Sequence, residues 1–561
     1  MMLFLVDRAP SPSRIPPLPS RPDAAAATAL AINRSPLLLH WRTTPTGLAS
    51  SWRSALSEAF PYANHPLRTE TNVGPGGKRR RVASRGFALA HGFIAAAIAV
   101  PLGTLASEPV PDQTPGAGEK PAVCAPCPPA TALATEPQEP IPADNLPAIR
   151  VDQRFAIHYG FTVGTQWHPA FYAAYSGQNS MTPGSQQATS VVADLSGGLR
   201  LWRGAELWLE PEMSGGLGLS STLGVAAFPS GEVYRVGNPN PTVLLGDFFF
   251  RQVFGLGGGP VPVELGPTQF AVARDRDAVT LTVGRFALTE VFDSNPLSND
   301  PHTHFSSWGL WASAAYDYPA DTHGYTWGIA GDLTIAWCSV RAGAVLEPVV
   351  ANGEDLQWNV LLARGLVMEG EARFAIGGRP GAARLLLFLN NAHMGSYEQA
   401  LAESPVDPNI TATRAYGRIK YGFAASANQA IDDTLGVFAR LSYNDGKTET
   451  WAFTEIDQSF AAGAVQAGVR WGRPDDEVGA GIVVSGISPE HRAYLAAGGY
   501  GFIIGDGALR YGLEVLGEIY YRLTLTREVS FIGTYQPIVN PAYNRDRGPV
   551  NVFGIRLHVA F

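Results

Sequence analysis

A two-residue period runs through the chain from Arg150 to its end. In "LRLWRGAELWLE", Leu199, Leu201, Leu207 and Leu209 hold one parity, while Arg200, Trp202, Glu206, Trp208 and Glu210 hold the other. "AVTLTV" sets Val279, Leu281 and Val283 against Thr280 and Thr282. "LEVLGEIYYRLTLT" sets Leu513, Val515, Ile519, Tyr521, Leu523 and Leu525 against Glu514, Glu518, Tyr520, Arg522 and Thr524. The closing "VNVFGIRLHVAF" does the same, with Phe553, Ile555, Leu557, Val559 and Phe561 opposite Gly554, Arg556, His558 and Ala560. Successive side chains of a strand point to opposite faces, so each stretch predicts a strand with one apolar and one polar face. A soluble core has no use for so many polar inner faces. A membrane barrel has, because a charge facing lipid at mid-bilayer costs about 2–4 kcal/mol. The pattern predicts an all-β chain, a transmembrane antiparallel outer-membrane β-barrel with a polar lumen. The minimal turn Thr526–Glu528 and the long loop Pro537–Pro549 match the rule of short periplasmic turns and long outer loops.

The period is absent before Arg150. Residues 78–106 read as a signal peptide: Lys78, Arg79, Arg80, Arg81 and Arg85 precede the short apolar "FIAAAIAVPLG" and the small-residue "TLA". Pro101 and the shortness of that core argue against a membrane anchor. The mature chain is expected to begin near Ser107. Residues 1–77 read as an unstructured extension, and the depth of the signal points to a translation start nearer Val82. Residues 107–149 are Pro-, Ala- and Glu-rich and read as a disordered linker, with the barrel assigned to 150–561.

Composition supports the barrel. Charged residues are 16% of 561, aromatics include 19 Tyr and 12 Trp, and the mean hydropathy is +0.00. Repeated spans of about 20 apolar residues, the mark of helical membrane proteins, are missing. The net charge of -8 argues against a nucleic-acid partner. Cys124 and Cys127 form an isolated "CAPC" with no second pair for zinc, best read as a linker disulfide or two idle thiols. Cys338 reads as an ordinary barrel residue. "HTH" at His302–His304 lacks a further ligand at metal spacing, so no metal and no cofactor is expected. No "GxSxG" or other nucleophile–base grouping points to an enzyme.

Four blocks carry a family resemblance. They are Pro211–Gly237 with "PEMSGGLGLSS", Gly284–Gly328 with "GRFALTEVFDSNPLSNDPHTHFSSWGLWASAAYDYPADTHGYTWG", "LNNAHMGSYEQAL" at Leu389–Leu401, and the end from Gly505 to Phe561. In this order they resemble the carbohydrate-selective porins of the OprB type, over most of residues 154–561. The resemblance implies about 16 strands and passive diffusion of monosaccharides such as glucose, or small oligosaccharides, into the periplasm. It further implies an integral place in the bacterial outer membrane among its lipid, with a homotrimer as the favoured assembly. Phe561, a terminal aromatic on the apolar parity, looks like the signal that the barrel-assembly machinery reads. The rival readings are a general or anion-selective porin and an exporter of acidic polysaccharide. A basic ladder would suit both, yet from residue 150 on the lysines are Lys420 and Lys447 alone.

Sugar selection calls for charged partners for hydroxyls and an aromatic surface for C–H faces. Arg200, Glu206, Trp208 and Glu210 supply these types on two neighbouring strands. Glu514, Glu518, Arg522 and Arg556 form a second charged group near the barrel's closure. Arg285 falls on the outward parity, which places it at a strand end or beyond a bulge; the resemblance gives it a role. The Gly-rich block Pro211–Gly237 is expected to enter the lumen in part. All nine residues are also open to a plainer reading as solvated, mutually paired wall residues.

Overall fold

The computed structural model describes residues 153–232 and 240–561. The extension, the signal peptide, the linker and Cys124 and Cys127 lie outside the described residues. Sixteen antiparallel strands run from β1 (Phe155–His168) to β16 (Val550–Ala560), each beside its sequence neighbour. The sheet closes through β16 on β1, in a register that pairs Gly160 with Ala560 and Trp167 with Phe553. No edge strand is left, as lipid requires, since every backbone group in the ladder must find its partner there. Among the described residues no helix is long and apolar enough to cross a membrane.

Connections alternate in length. Two-residue turns join β2 (Gln186–Trp202) to β3 (Ala205–Gly216), and β8 (Arg364–Ile376) to β9 (Arg379–Ala392). The second is Gly377–Gly378 at φ 60° and 76°, the left-handed pair that matches the twist of a tight hairpin. At the opposite rim, long loops fill 288–324, 393–417 and 487–513. Apolar side chains face out: Ile519, Ile555, Leu385, Leu387 and Phe460 are exposed, as lipid-facing residues must be. One wall residue departs from its parity. The register shifts between Arg200 and Trp202, and Trp202 turns outward to pair with Ala205, its ring 6.0 Å from Phe250. The bulge inserts a residue, so the expected inward position of Trp202 is wrong.

The loop 288–324, between β5 (Val272–Ala287) and β6 (Tyr325–Ile335), is the element that shapes the lumen. From Phe305 to Tyr316 it carries no charge, and Phe305, Leu310, Ala314, Ala315 and Tyr316 are buried. These groups bury against the inner wall, which in this sector is apolar. Phe305 lies 5.5 Å from Phe438 and 5.0 Å from Tyr520, ring centre to ring centre, and Tyr316 lies 5.0 Å from Phe388. Gly309 packs on Val483, and a Cβ at Gly309 would stand 3.0 Å from its methyl. A uniformly polar inner face is thus absent: between β9 and β14 (Glu514–Thr524) part of it serves as the floor of a hydrophobic core inside the barrel.

Candidate functional site

Strands around much of the barrel hold the loop through polar groups. Glu518 of β14 accepts the backbone N–H groups of Ser306 at 2.7 Å and Ser307 at 2.9 Å. Arg440 of β11 (Leu435–Asn444) donates to Asp293 at 2.5 Å and to the Trp311 carbonyl at 3.0 Å. Glu369 of β8 accepts from the Asp293 amide at 2.7 Å. Asn390 of β9 donates to the Asp317 carbonyl. Lys420 of β10 (Arg418–Ala430) reaches the Asp317 carboxylate at 3.7 Å, both side chains fully buried. Gln536 of β15 (Val529–Val539) bonds the Ser306 hydroxyl at 2.9 Å. Arg556 of β16 donates to the carbonyls of Pro301 and His304. Buried polar groups left unpaired are costly, so this dense pairing fixes the loop's path across the lumen.

On the other side of the loop the lumen stays open, as two cavities. The larger, about 1290 Å³, faces the short turns and is lined by nine arginines, among them Arg200, Arg251 and Arg274, against eight carboxylates. The smaller, about 390 Å³, faces the long loops; Trp308, Trp311, Tyr318 and Phe453 line it with Glu212, Glu232, Asp300 and His302. Glu290 and Asn299, both from the loop, line the two cavities at once and mark the neck between them. His302 sits 3.1 Å from Asp300. Burial alone would lower the His302 pKa, but the bond to Asp300 and the charges of Glu232, Asp300 and Asp194 outweigh it and push it up to about 10. Burial would likewise raise Asp300, yet His302 and His304 hold it well below the ordinary carboxylate value. Among the described residues no group of His, Cys, Asp and Glu is arranged to hold a metal ion.

The nine sequence candidates separate clearly. Arg200 and Glu206 face each other across β2 and β3 and line the larger cavity. Arg200 lies over the Phe270 ring at 4.6 Å, and Glu206 stands 3.9 Å from Arg251. Trp208 points inward but offers no face to a sugar: it is 0% exposed, lies 5.0 Å from the ring of Phe270, and donates to Glu206 at 3.2 Å. The turn 264–271 brings Phe270 back over it, which corrects its reading as a stacking platform. Glu210 is buried and accepts the Ser196 hydroxyl. Glu514 also leaves the open lumen, taking the N–H groups of Ala226 at 2.9 Å, Ala227 at 2.8 Å and Ala542 at 2.8 Å. It thereby anchors the inward-folded part of the Gly-rich block; residues 233–239 of that block lie outside the described residues. Glu518 and Arg556 hold the lumen loop, and Arg522 pairs with Glu477 at 3.1 Å. Two of the four closure residues, Glu518 and Arg556, therefore clamp the loop, and Glu514 is taken up by the Gly-rich block.

Arg285 follows Gly284, whose φ is 143°, near the end of β5. Its guanidinium bonds the Leu245 carbonyl at 2.8 Å and Asp321 at 2.6 Å, so it pins the outgoing end of the loop and lines neither cavity. Sequence reasoning missed the charged ladder on the facing wall. There Arg341 meets Asp332 at 2.7 Å, Glu369 at 2.7 Å and Glu371 at 3.3 Å, and Glu371 also takes Arg373 at 2.5 Å and Arg384 at 2.8 Å. The signal was present in "MEGEARF", where Glu369, Glu371 and Arg373 share one parity.

Several solved structures are similar to the chain. Pseudomonas putida OprB, in its high-pH structure, is similar at a TM-score of 0.57 and 17% identity, over 73% of this chain and 95% of that one. Acinetobacter baumannii OccAB1 matches at 0.40 and 10% over 72% and 96%, and the DcaP channel of the same organism at 0.38 and 10% over 73% and 98%. Among curated proteins none matches the chain. The OprB family of carbohydrate-selective porins matches residues 178–561. A closed 16-strand barrel whose lumen is narrowed by its own loop, together with that match, settles the family: the chain belongs to the carbohydrate-selective porins and is an integral protein of the outer membrane.

Proposed function

We propose that the protein lets monosaccharides such as glucose diffuse passively across the outer membrane. The observation that carries this reading is the neck at Glu290 and Asn299 of the fixed loop, which line both cavities. A rigid constriction edged by carboxylate, amide and aromatic groups trades hydration for direct contacts with hydroxyls at low cost. Binding there is weak enough to release the solute, since charged groups in an open pore are already paired and hydrated. The nine arginines of the inner cavity favour an anion channel in number, but the eight carboxylates beside them cancel that charge. Liposomes carrying the purified protein should swell in glucose and more slowly as sugar length increases. Equal swelling for sugars and for uncharged solutes of matched size, with no block of ion current by glucose, would sink the selective reading.

A further inference from the structure

The outer cavity differs in charge from the inner one. No lysine or arginine lines it, while Glu212, Glu232, Glu290 and Asp300 do. Its His302 is already paired with Asp300 at 3.1 Å. Two buried polar atoms on its wall have no hydrogen-bond partner: Oε1 of Glu232 and the indole N–H of Trp311. Both side chains belong to residues more than nine-tenths buried, at 7% and 8% exposure. A buried acceptor and a buried donor left unpaired are each expensive unless something completes them. Trp308 stacks on Phe453 at 4.4 Å and meets Trp311 edge-on at 4.6 Å, which gives the same wall an aromatic surface.

We propose that this cavity is a binding subsite that favours protonated amino sugars over neutral hexoses and excludes uronates. The proposal rests on the sugar-channel reading and adds the charge class of the solute. An ammonium group adds a second cation beside Glu232, whose positive neighbours His302 and Arg556 are bonded to Asp300 and to the loop carbonyls, and it is attracted to the aromatic wall. The sugar's hydroxyls accept from the Trp311 N–H. A uronate meets the four acidic side chains with no free lysine or arginine on the lining. Burial also pushes the Glu232 carboxyl up, against the lowering effect of His302 and Arg556. A bound cation relieves that burial directly. At about 390 Å³ the cavity falls within the range of about 300–1,000 Å³ for small-ligand sites. Arg556 lies behind Glu232, committed to the Pro301 and His304 carbonyls.

The test is block of ion current through the full protein in planar bilayers at pH 6 and low salt, with glucose, glucosamine and glucuronate. Glucosamine should block at a concentration about fivefold below that of glucose, the size of one partly screened charge contact, and glucuronate should block least. Glu232→Gln and Glu290→Gln should each bring the glucosamine-to-glucose ratio toward one, in protein whose heat-modifiable migration shows a folded barrel. If one variant does not fold, the other and the wild-type ratio still decide. Equal block by glucosamine and glucose, or strongest block by glucuronate, overturns the subsite while leaving the sugar channel intact. No block by any of the three, with liposomes closed to glucose, removes the sugar-channel reading and this inference together.

Discussion

Replacing Glu518 by Ala should release the lumen loop without opening the barrel. The carboxylate takes four hydrogen bonds: Ser306 N at 2.7 Å, Ser307 N at 2.9 Å, Ser306 Oγ at 3.1 Å and Gln536 Nε2 at 3.0 Å. Bonds to a charged acceptor are worth about 1.5–3 kcal/mol each, and a buried donor left without a partner costs about 1–3 kcal/mol. Lumen water can enter the vacated space and satisfy some donors, so a net loss of about 3 kcal/mol is the sensible figure. Since about 1.4 kcal/mol is tenfold, the released state should gain roughly a hundredfold in population. The ladder that pairs Glu518 with Gly481 uses backbone groups and survives the change. Single-channel recordings should show larger, flickering currents, and Glu518→Gln, which keeps one accepting oxygen, should fall between. Unchanged conductance and noise in a folded Glu518→Ala barrel would refute the clamp.

Three further outcomes are expected. His302, with its pKa pushed up to about 10, holds stability for the loop that is complete below its ordinary 6.5 and is lost as pH rises through about 10. Reversal potentials should therefore shift toward cations between pH 8 and pH 11, and His302→Gln should lack that step; a wild-type preference flat across this range would count against it. Trp208→Ala, which empties a fully buried site, should cost about 3–5 kcal/mol of stability and leave glucose block nearly unchanged, read from thermal unfolding alongside sugar titration. Phe561→Asp should lower the yield of heat-modifiable protein in the outer membrane. The ring is 70% exposed on the lipid face, and its backbone pairs with Tyr159 at 2.8 and 3.0 Å; normal yield would remove the assembly role.

Strand and parity were legible because each is a local property. Arg200 and Glu206 could be placed on one wall from spacing alone, and the structure makes them register partners. What covers a wall residue is not local. Glu518 is met by Ser306 from 212 positions away, and Glu514 by Ala226 from 288. No periodicity within β14 distinguishes a carboxylate open to water from one roofed by a loop. Trp208 was misread for the same reason, since Phe270 reaches it from a turn with no pattern of its own. The loop did leave a trace: Phe305–Tyr316 is aromatic and uncharged, a composition that cannot remain in water at a barrel rim.

The last strand faces two ways at once. Ile555 lies beside Thr165 at the seam where the sheet closes, and the next residue, Arg556, grips the loop carbonyls that set the channel's bore. Sealing the wall and calibrating the passage are consequently a single event in the life of the chain. A polypeptide without this 11-residue strand has neither a closed cylinder nor the Arg556 hold on its lumen loop. Whatever keeps this strand from docking therefore costs the pore its wall and its bore together.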